Sequence, residues 1–270
     1  MRIQLQTPQL TIFESALFRT TSTVIQTDDF ILIVDPNWLP IEIQTIRDYV
    51  DSIKGNKPIY LFFTHSDYDH IIGYNAFPEA KTIASKAFVE NQDKAKILQQ
   101  INNFDDENYV KRAYKIVYPT IDFVINNDSE ILKIGNTKLQ FFNAFGHNAD
   151  GLFLWIEKLG ILVVGDYLSN IEFPYIYHSG TLYLQTLQVV EQLIKTQKIN
   201  YLITGHGDYT AEKKEMKQRI ADSYEYIFLL INSIKSGQKF NLNWLWQRYD
   251  FPKVMTRFHE GNLKILRKEL

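Results

Sequence analysis

The chain predicts an α/β fold in which sheets are sandwiched with helices on the outside, and three observations carry that expectation. Its first part reads strand, strand, strand, helix, strand, an order that suits layered sheets covered by helices. A second block, starting near residue 123, mirrors that element order. Four separate apolar runs finish in a His or an Asp, three of them through a Gly. Strand ends on one edge of a sheet are where α/β folds gather their sites.

The elements follow in order. Leu10-Thr11-Ile12-Phe13 and Ser22-Thr23-Val24-Ile25-Gln26 read as strands, and Asp28-Asp29 turns the chain into Phe30-Ile31-Leu32-Ile33-Val34. Pro40 opens a helix with Ile43, Ile46, Val50 and Ile53 at helical spacing, and Gly55 closes it. Pro58 introduces the buried strand Ile59-Tyr60-Leu61-Phe62-Phe63. Thr82-Ile83-Ala84 is a short strand, and Ser85 can cap a helix running to about residue 100. Residues 101–118, with Asp105-Asp106-Glu107-Asn108, read as polar and irregular. Phe123-Val124-Ile125, Glu130-Ile131-Leu132-Lys133-Ile134 and residues 138–145 are strands. Residues 152–156 and 161–164 form a hairpin through Lys158-Leu159-Gly160. A helix around Leu184, Leu187, Val190, Leu193 and Ile194 leads to the strand 201–204. From Ala211 the character changes: Met216, Ile220, Tyr224, Ile227, Phe228 and Ile231 keep a helical period up to Gly237. Trp244, Trp246, Tyr249, Phe251 and Phe258 then make the tail too aromatic to be free. This gives a domain over residues 1–210 and a helical extension over 211–270, packed on the domain, walling a pocket or making a homodimer contact.

Composition narrows the classes. With 270 residues, 45% of them hydrophobic, the chain can bury a sizeable core. A formal net charge of −2 with scattered Lys and Arg argues against a general nucleic-acid surface. The absence of cysteine removes disulfides, thiolate metal sites and cysteine nucleophiles. The N-terminus lacks the apolar core of a signal peptide, and no run approaches the ~20 apolar residues of a membrane span. A soluble cytoplasmic protein, with no membrane partner, is the expectation.

The densest chemistry lies in Thr64-His65-Ser66-Asp67-Tyr68-Asp69-His70, where a core strand runs out. Two imidazoles and two carboxylates this close would repel one another once stripped of water, unless a cation offset them. A solvated polar loop is the alternative reading of this stretch alone. The other runs end in Gly146-His147, in Gly165-Asp166 and in Gly205-His206-Gly207.

In that order the blocks resemble the metallo-β-lactamase-fold hydrolases, whose first motif is His-x-His-x-Asp-His, followed by Gly-His, an Asp after a strand, and a last Gly-His. The resemblance covers roughly residues 10–210. It implies a four-layer αββα sandwich and a dinuclear centre, with two divalent ions, zinc first and manganese or iron as alternatives. Carried over position by position, His65, Asp67 and His147 hold one ion, Asp69, His70 and His206 the other, and Asp166 bridges them. A hydroxide shared by the ions would attack an ester, lactone, thioester or phosphodiester of a small molecule. Asp69 would also orient that nucleophile. Tyr167, like Tyr68, flanks a ligand and could hydrogen-bond a substrate oxygen; His178 could contact substrate or donate a proton. In the family, insertions near residues 101–118 shape the substrate pocket, which makes that stretch a candidate lid. Two positions depart from the pattern: Asp67 stands where the family has a second His, and Val34-Asp35-Pro36 where it often has Asp-x-Gly. A nuclease and a metal-free binding protein of the same fold are the alternatives. The first needs a basic groove and the second binds no metal.

Overall fold

The computed structural model describes residues 1–270, in two compact units, Met1–Phe142 and Asn143–Leu270. Twelve strands make two sheets. The first has the order β1 (Arg2–Gln6), β2 (Leu10–Glu14), β3 (Thr21–Gln26), β4 (Ile31–Val34), β5 (Ile59–Phe62), β6 (Lys81–Ser85), β7 (Phe123–Ile125). In the second, β12 (Tyr201–Ile203) is followed by β11 (Ile161–Val163), β10 (Leu152–Ile156), β9 (Thr137–Asn143) and β8 (Ile131–Ile134). Helix α1 (Pro40–Ile53) is the crossover that makes β4 and β5 parallel. Further helices are α2 (Tyr68–Ile71), α3 (Lys86–Glu90), α4 (Lys94–Glu107), α5 (Gly180–Thr196), α6 (Lys213–Ser236), α7 (Leu242–Trp246) and α8 (Pro252–Glu269). None of them is long and apolar enough to cross a membrane.

Parallel register is what brings ligand-type residues level. Val34 pairs with Phe62, so Asp35 and Phe63-Thr64-His65 leave the first sheet at the same height. Val163 pairs with Ile203, so Gly165-Asp166 and Gly205-His206 leave the second sheet together. A short backbone bond from Gly205 N–H to Gly165 O (2.6 Å) continues that ladder past the strands. The segments are short and apolar because strands covered on both faces bury every side chain, and β4, β5, β10 and β11 do. In the first unit Ile33, Leu61, Phe63, Ile43, Ile46, Val50 and Phe88 form one core. Phe62 meets Phe141 of β9 edge-on at 5.3 Å.

Three elements differ from the sequence reading. β1 is a strand at Arg2–Gln6, where no element is expected; Arg2 is drawn to Glu14 on β2 at 2.7 Å. The helix expected from Ser85 to about residue 100 is two helices. Ser85 Oγ caps α3 by accepting from Phe88 N–H, and Asn91 breaks the run with its Oδ1 accepting from Asp93 N–H. Residues 101–107, expected as irregular loop, continue α4. Its polar residues face solvent while Ile97 and Ile101 are buried and Phe104 is half-buried. After α4, the bidentate pair from Arg112 to Asp105 and the bond from Arg112 to Trp38 O (2.9 Å) tie the following segment down.

In the second unit the helical extension packs on the segment before it. α6 ends at Gly237 in the left-handed conformation, as the sequence implies. α8 turns Met255, His259, Asn262 and Leu266 inward. The carboxylate of Glu269 accepts from the N–H groups of Gly180 and Thr181 (3.1 and 3.2 Å), an anion at the start of α5. The tail aromatics interlock: Phe258 stacks on Tyr175 at 4.1 Å, and Tyr249 and Trp244 join Phe173 and Tyr226. The two compact units divide at residue 142. His259 is buried against Phe240, with its Nδ1 3.1 Å from the Tyr226 hydroxyl.

Burial pushes the His259 imidazole down to about 4, because the charged form is stripped of water. The folded value is depressed below the unfolded one, about 6.5. The stability it contributes is therefore present above pH 6.5 and lost as pH falls toward 4. Thermal melting of the wild type should drop across that window. His259→Asn, lacking the titrating group, should melt lower at neutral pH but lose less on acidification.

Candidate metal centre

The first unit carries four ligand-type residues of its own. His65 follows β5 through Phe63 and Thr64; Asp67 precedes α2, and Asp69 and His70 lie within it. His65, Asp69 and His70 are buried, and Asp67 is partly exposed. The His65 and His70 rings lie 4.1 Å apart. His65 Nε2 stands 3.6 Å from Asp67 Oδ2, and His70 Nε2 stands 3.6 Å from Asp69 Oδ2. The second unit carries His147, Asp166 and His206. Asp166 Oδ2 lies 3.4 Å from His147 Nε2 and 3.5 Å from His206 Nε2, so one oxygen faces two imidazoles.

What decides the chemistry is where the ring protons are. Asp35, at the end of β4, accepts Thr64 N–H on Oδ1 (2.9 Å) and the Thr64 hydroxyl on Oδ2 (2.6 Å). The same Oδ2 lies 3.0 Å from His70 Nδ1; a carboxylate can only accept, so Nδ1 carries the proton. Thr64 has spent its only hydroxyl proton on Asp35. Its oxygen is therefore the acceptor toward His65 Nδ1 at 2.9 Å, and that Nδ1 carries a proton too. In the second unit His147 Nδ1 lies 2.8 Å from the carbonyl oxygen of Tyr175, again an acceptor only. With Nδ1 carrying a proton, the neutral form of each of these three rings is fixed in one tautomer, the one that leaves Nε2 as the lone pair.

Each of those lone pairs faces a carboxylate oxygen at 3.4–3.6 Å. These spacings are long for a hydrogen bond. Two donors about 2.0–2.2 Å from a shared tetrahedral ion stand roughly 3.3–3.6 Å apart. The donor set therefore fits a divalent cation. Nitrogen and oxygen donors without thiolate suit zinc, manganese or iron.

Local backbone holds this arrangement. Asp35 sits at φ 46°, a left-handed conformation that Asp tolerates better than most residues. Gly73 N–H donates to Pro36 O at 3.0 Å, and a Cβ at Gly73 would collide with that carbonyl. Gly146, at φ 121°, lies so close to the backbone of Tyr183 that any Cβ would overlap it. The Gly146 carbonyl accepts the N–H groups of His178 and Ser179, and the His147 carbonyl accepts Tyr177 N–H. The loop after Asp166 is thereby laced to the His147 turn.

The remaining sequence candidates divide. Tyr167 is not placed for substrate. It is fully buried, its hydroxyl donates to Phe145 O (2.7 Å) and accepts His147 N–H (3.1 Å), and burial raises its pKa well beyond the usual phenol value. Its work is to support the His147 turn. His178 is exposed beside that turn, joined to it through its backbone N–H. Tyr68 meets Trp38 edge-on at 5.4 Å. Sequence reading missed Asp35, Thr64 and Tyr175 as supports. Asp35 had a signal, a carboxylate ending an early strand. The Tyr175 contact is made by a carbonyl oxygen, which every residue has.

The profile of the metallo-β-lactamase superfamily matches residues 16–229. The chain belongs to that superfamily. Among curated relatives, a metallo-β-lactamase type 2 from Bacillus sp. (strain 170) is 22% identical over 202 residues, covering 74% of this chain and 71% of its own. Among solved structures, an inverting sec-alkylsulfatase from Pseudomonas sp. superposes with a TM-score of 0.70 at 14% identity. That match covers 98% of this chain, which spans only 49% of the sulfatase. A metallo-β-lactamase family protein from Thermus thermophilus gives 0.65 at 15% identity, covering 97% and 94% of the two chains. The superfamily fold, two sheets with helices outside and a helical C-terminal region, is the fold of this protein.

Tyr167→Phe tests the supporting role. The ring packing stays, but the buried His147 N–H and Phe145 carbonyl each lose a partner, which should cost about 1–3 kcal/mol. A lower Tm at neutral pH is expected, with substrate KM unchanged once a substrate is in hand.

Proposed function

We propose that this protein is a dinuclear metal-dependent hydrolase of small molecules. His65, Asp67 and His147 would hold one ion and Asp69, His70 and His206 the other, with Asp166 shared between them. The observation that carries the reading is the common tautomer of His65, His70 and His147, each Nε2 lone pair turned toward a carboxylate. Membership of a superfamily made up mostly of hydrolases supports it. A pair of divalent ions, when bound, supplies a water ionised near neutral pH and a Lewis acid for the substrate's oxygen. The chain's own residues do the rest. Asp69, buried at the start of α2, orients the attacking water and takes its proton on a carboxylate oxygen. Asp166 Oδ2, facing the imidazoles of His147 and His206, is the oxygen that would be shared between the ions. His178, exposed beside the His147 turn, is the candidate to meet the substrate's outer part.

Asp67 tunes the centre. With Asp69 and Asp166 it brings three carboxylates to two divalent ions, where an imidazole in its place would leave two. The extra anionic oxygen would make the bound ions weaker Lewis acids and would shift preference from zinc toward manganese or iron.

Elemental analysis of gently purified protein should find close to two transition-metal ions per chain. Metal-free protein whose Tm ignores added zinc or manganese would overturn the reading. The substrate follows from a panel: aryl ester, lactone, thioester and bis-aryl phosphodiester, with an alkyl sulfate and a β-lactam added for the two relatives named above. Asp67→Ala should lose or loosen one ion. Asp67→His should restore it, with the pH–rate midpoint shifted downward. Both ions retained at unchanged affinity in Asp67→Ala would remove Asp67 from the ligand set.

A further inference from the structure

We propose that Asn262, on the C-terminal helix and beyond the stretch matched by the superfamily profile, is a positioning residue for the metal ligand His147; the inference rests on the dinuclear reading above. Asn262 is almost fully buried and every polar atom of its side chain is used. Its Oδ1 accepts Ile176 N–H at 2.8 Å, and its Nδ2 donates to Pro174 O at 2.6 Å and to the Tyr226 hydroxyl at 2.9 Å. The amide therefore clamps the backbone on both sides of Tyr175, as a neighbouring strand would.

Tyr175 is the residue whose carbonyl holds His147 Nδ1 at 2.8 Å. The carbonyl direction of a residue is set by the peptide planes flanking it, and Asn262 fixes both. Phe258, one helical turn earlier on α8, stacks on the Tyr175 ring at 4.1 Å, and the Tyr175 hydroxyl reaches Met255 Sδ at 3.3 Å. Tyr177, two residues on, lies against the His147 ring at 5.0 Å and donates its N–H to the His147 carbonyl. So α8 holds the 174–177 loop by side chain and backbone, and the loop holds the imidazole. The path from Asn262 to His147 Nε2 contains no flexible step: amide, peptide, carbonyl, ring. Partners that orient a ligating imidazole typically change metal affinity roughly 10–100-fold when removed. Acting one link further out, Asn262 belongs at the lower end, about 10-fold.

The test uses full-length protein stripped by chelator and titrated with cobalt(II), whose visible absorption reports coordination. Asn262→Ala should weaken uptake of one cobalt equivalent about 10-fold and change its absorption, with the other equivalent unaltered. Asn262→Asp keeps an acceptor for Ile176 N–H but loses the donor to Pro174 O. It should fall between wild type and alanine, and it serves if the alanine variant does not fold. The decisive arm is a double-mutant cycle with His147→Ala. If Asn262 acts through His147, Asn262→Ala adds no further loss of cobalt affinity in that background. A full loss of about 10-fold there, or wild-type affinity and spectrum in both Asn262 variants, overturns the proposal. Wild-type protein that takes up no cobalt would instead overturn the metal reading beneath it, a separate and distinguishable failure.

Discussion

Lone pairs that face one another must be held by something. In this protein the neutral imidazoles of His65, His70 and His147 would turn their lone pairs toward carboxylate oxygens, because their other nitrogens are committed to Thr64, Asp35 and Tyr175. Such an arrangement is repulsive in a dry environment and becomes favourable around a cation. Much of the surrounding structure serves that convergence. Parallel pairing sets the strand ends level, glycines let backbones close in, and Asp35 commits three hydrogen bonds to Thr64 and His70.

The superfamily fold ends its two central parallel strand pairs the same way. A parallel strand pair ends, the chain passes a tight turn, and a polar side chain emerges where the sheet stops. β4 and β5 do this for Asp35 and His65, β11 and β12 for Asp166 and His206. The supports differ in kind. On the first unit they are side chains, Asp35 and Thr64. On the second they are largely main chain: the carbonyls of Tyr175, Gly146 and His147 and the N–H groups that meet them. Main-chain supports tolerate sequence change, which suits a chain sharing only 14–15% of its residues with structures of the same fold.

That difference in kind explains how much of the protein was legible in its sequence. The strands and their terminal His and Asp residues could be read because burial on both faces demands short apolar runs and ligand chemistry demands particular side chains. Helix α4 could have been read further, since Ile97, Ile101 and Phe104 keep its period through a polar surface. β1 had no strong pattern: its burial is partial and an ion pair with Glu14 helps to hold it. Tyr167 looked like a substrate contact from its place beside Asp166. Only the fold reveals that its hydroxyl is consumed by the backbone at residues 145–147. Supports supplied by carbonyl oxygens leave no trace in residue identity at all.

The clamp on the 174–177 loop joins residues 86 and 88 positions apart in the chain. Contacts of such long sequence separation form late, because a large loop must close before they can be made. During synthesis the segment carrying His147 leaves the ribosome well before α8 exists. On the proposed role of Asn262, the imidazole acquires its final orientation only once α8 has been made, and a chain interrupted before residue 262 carries this histidine without the fixture that aims it.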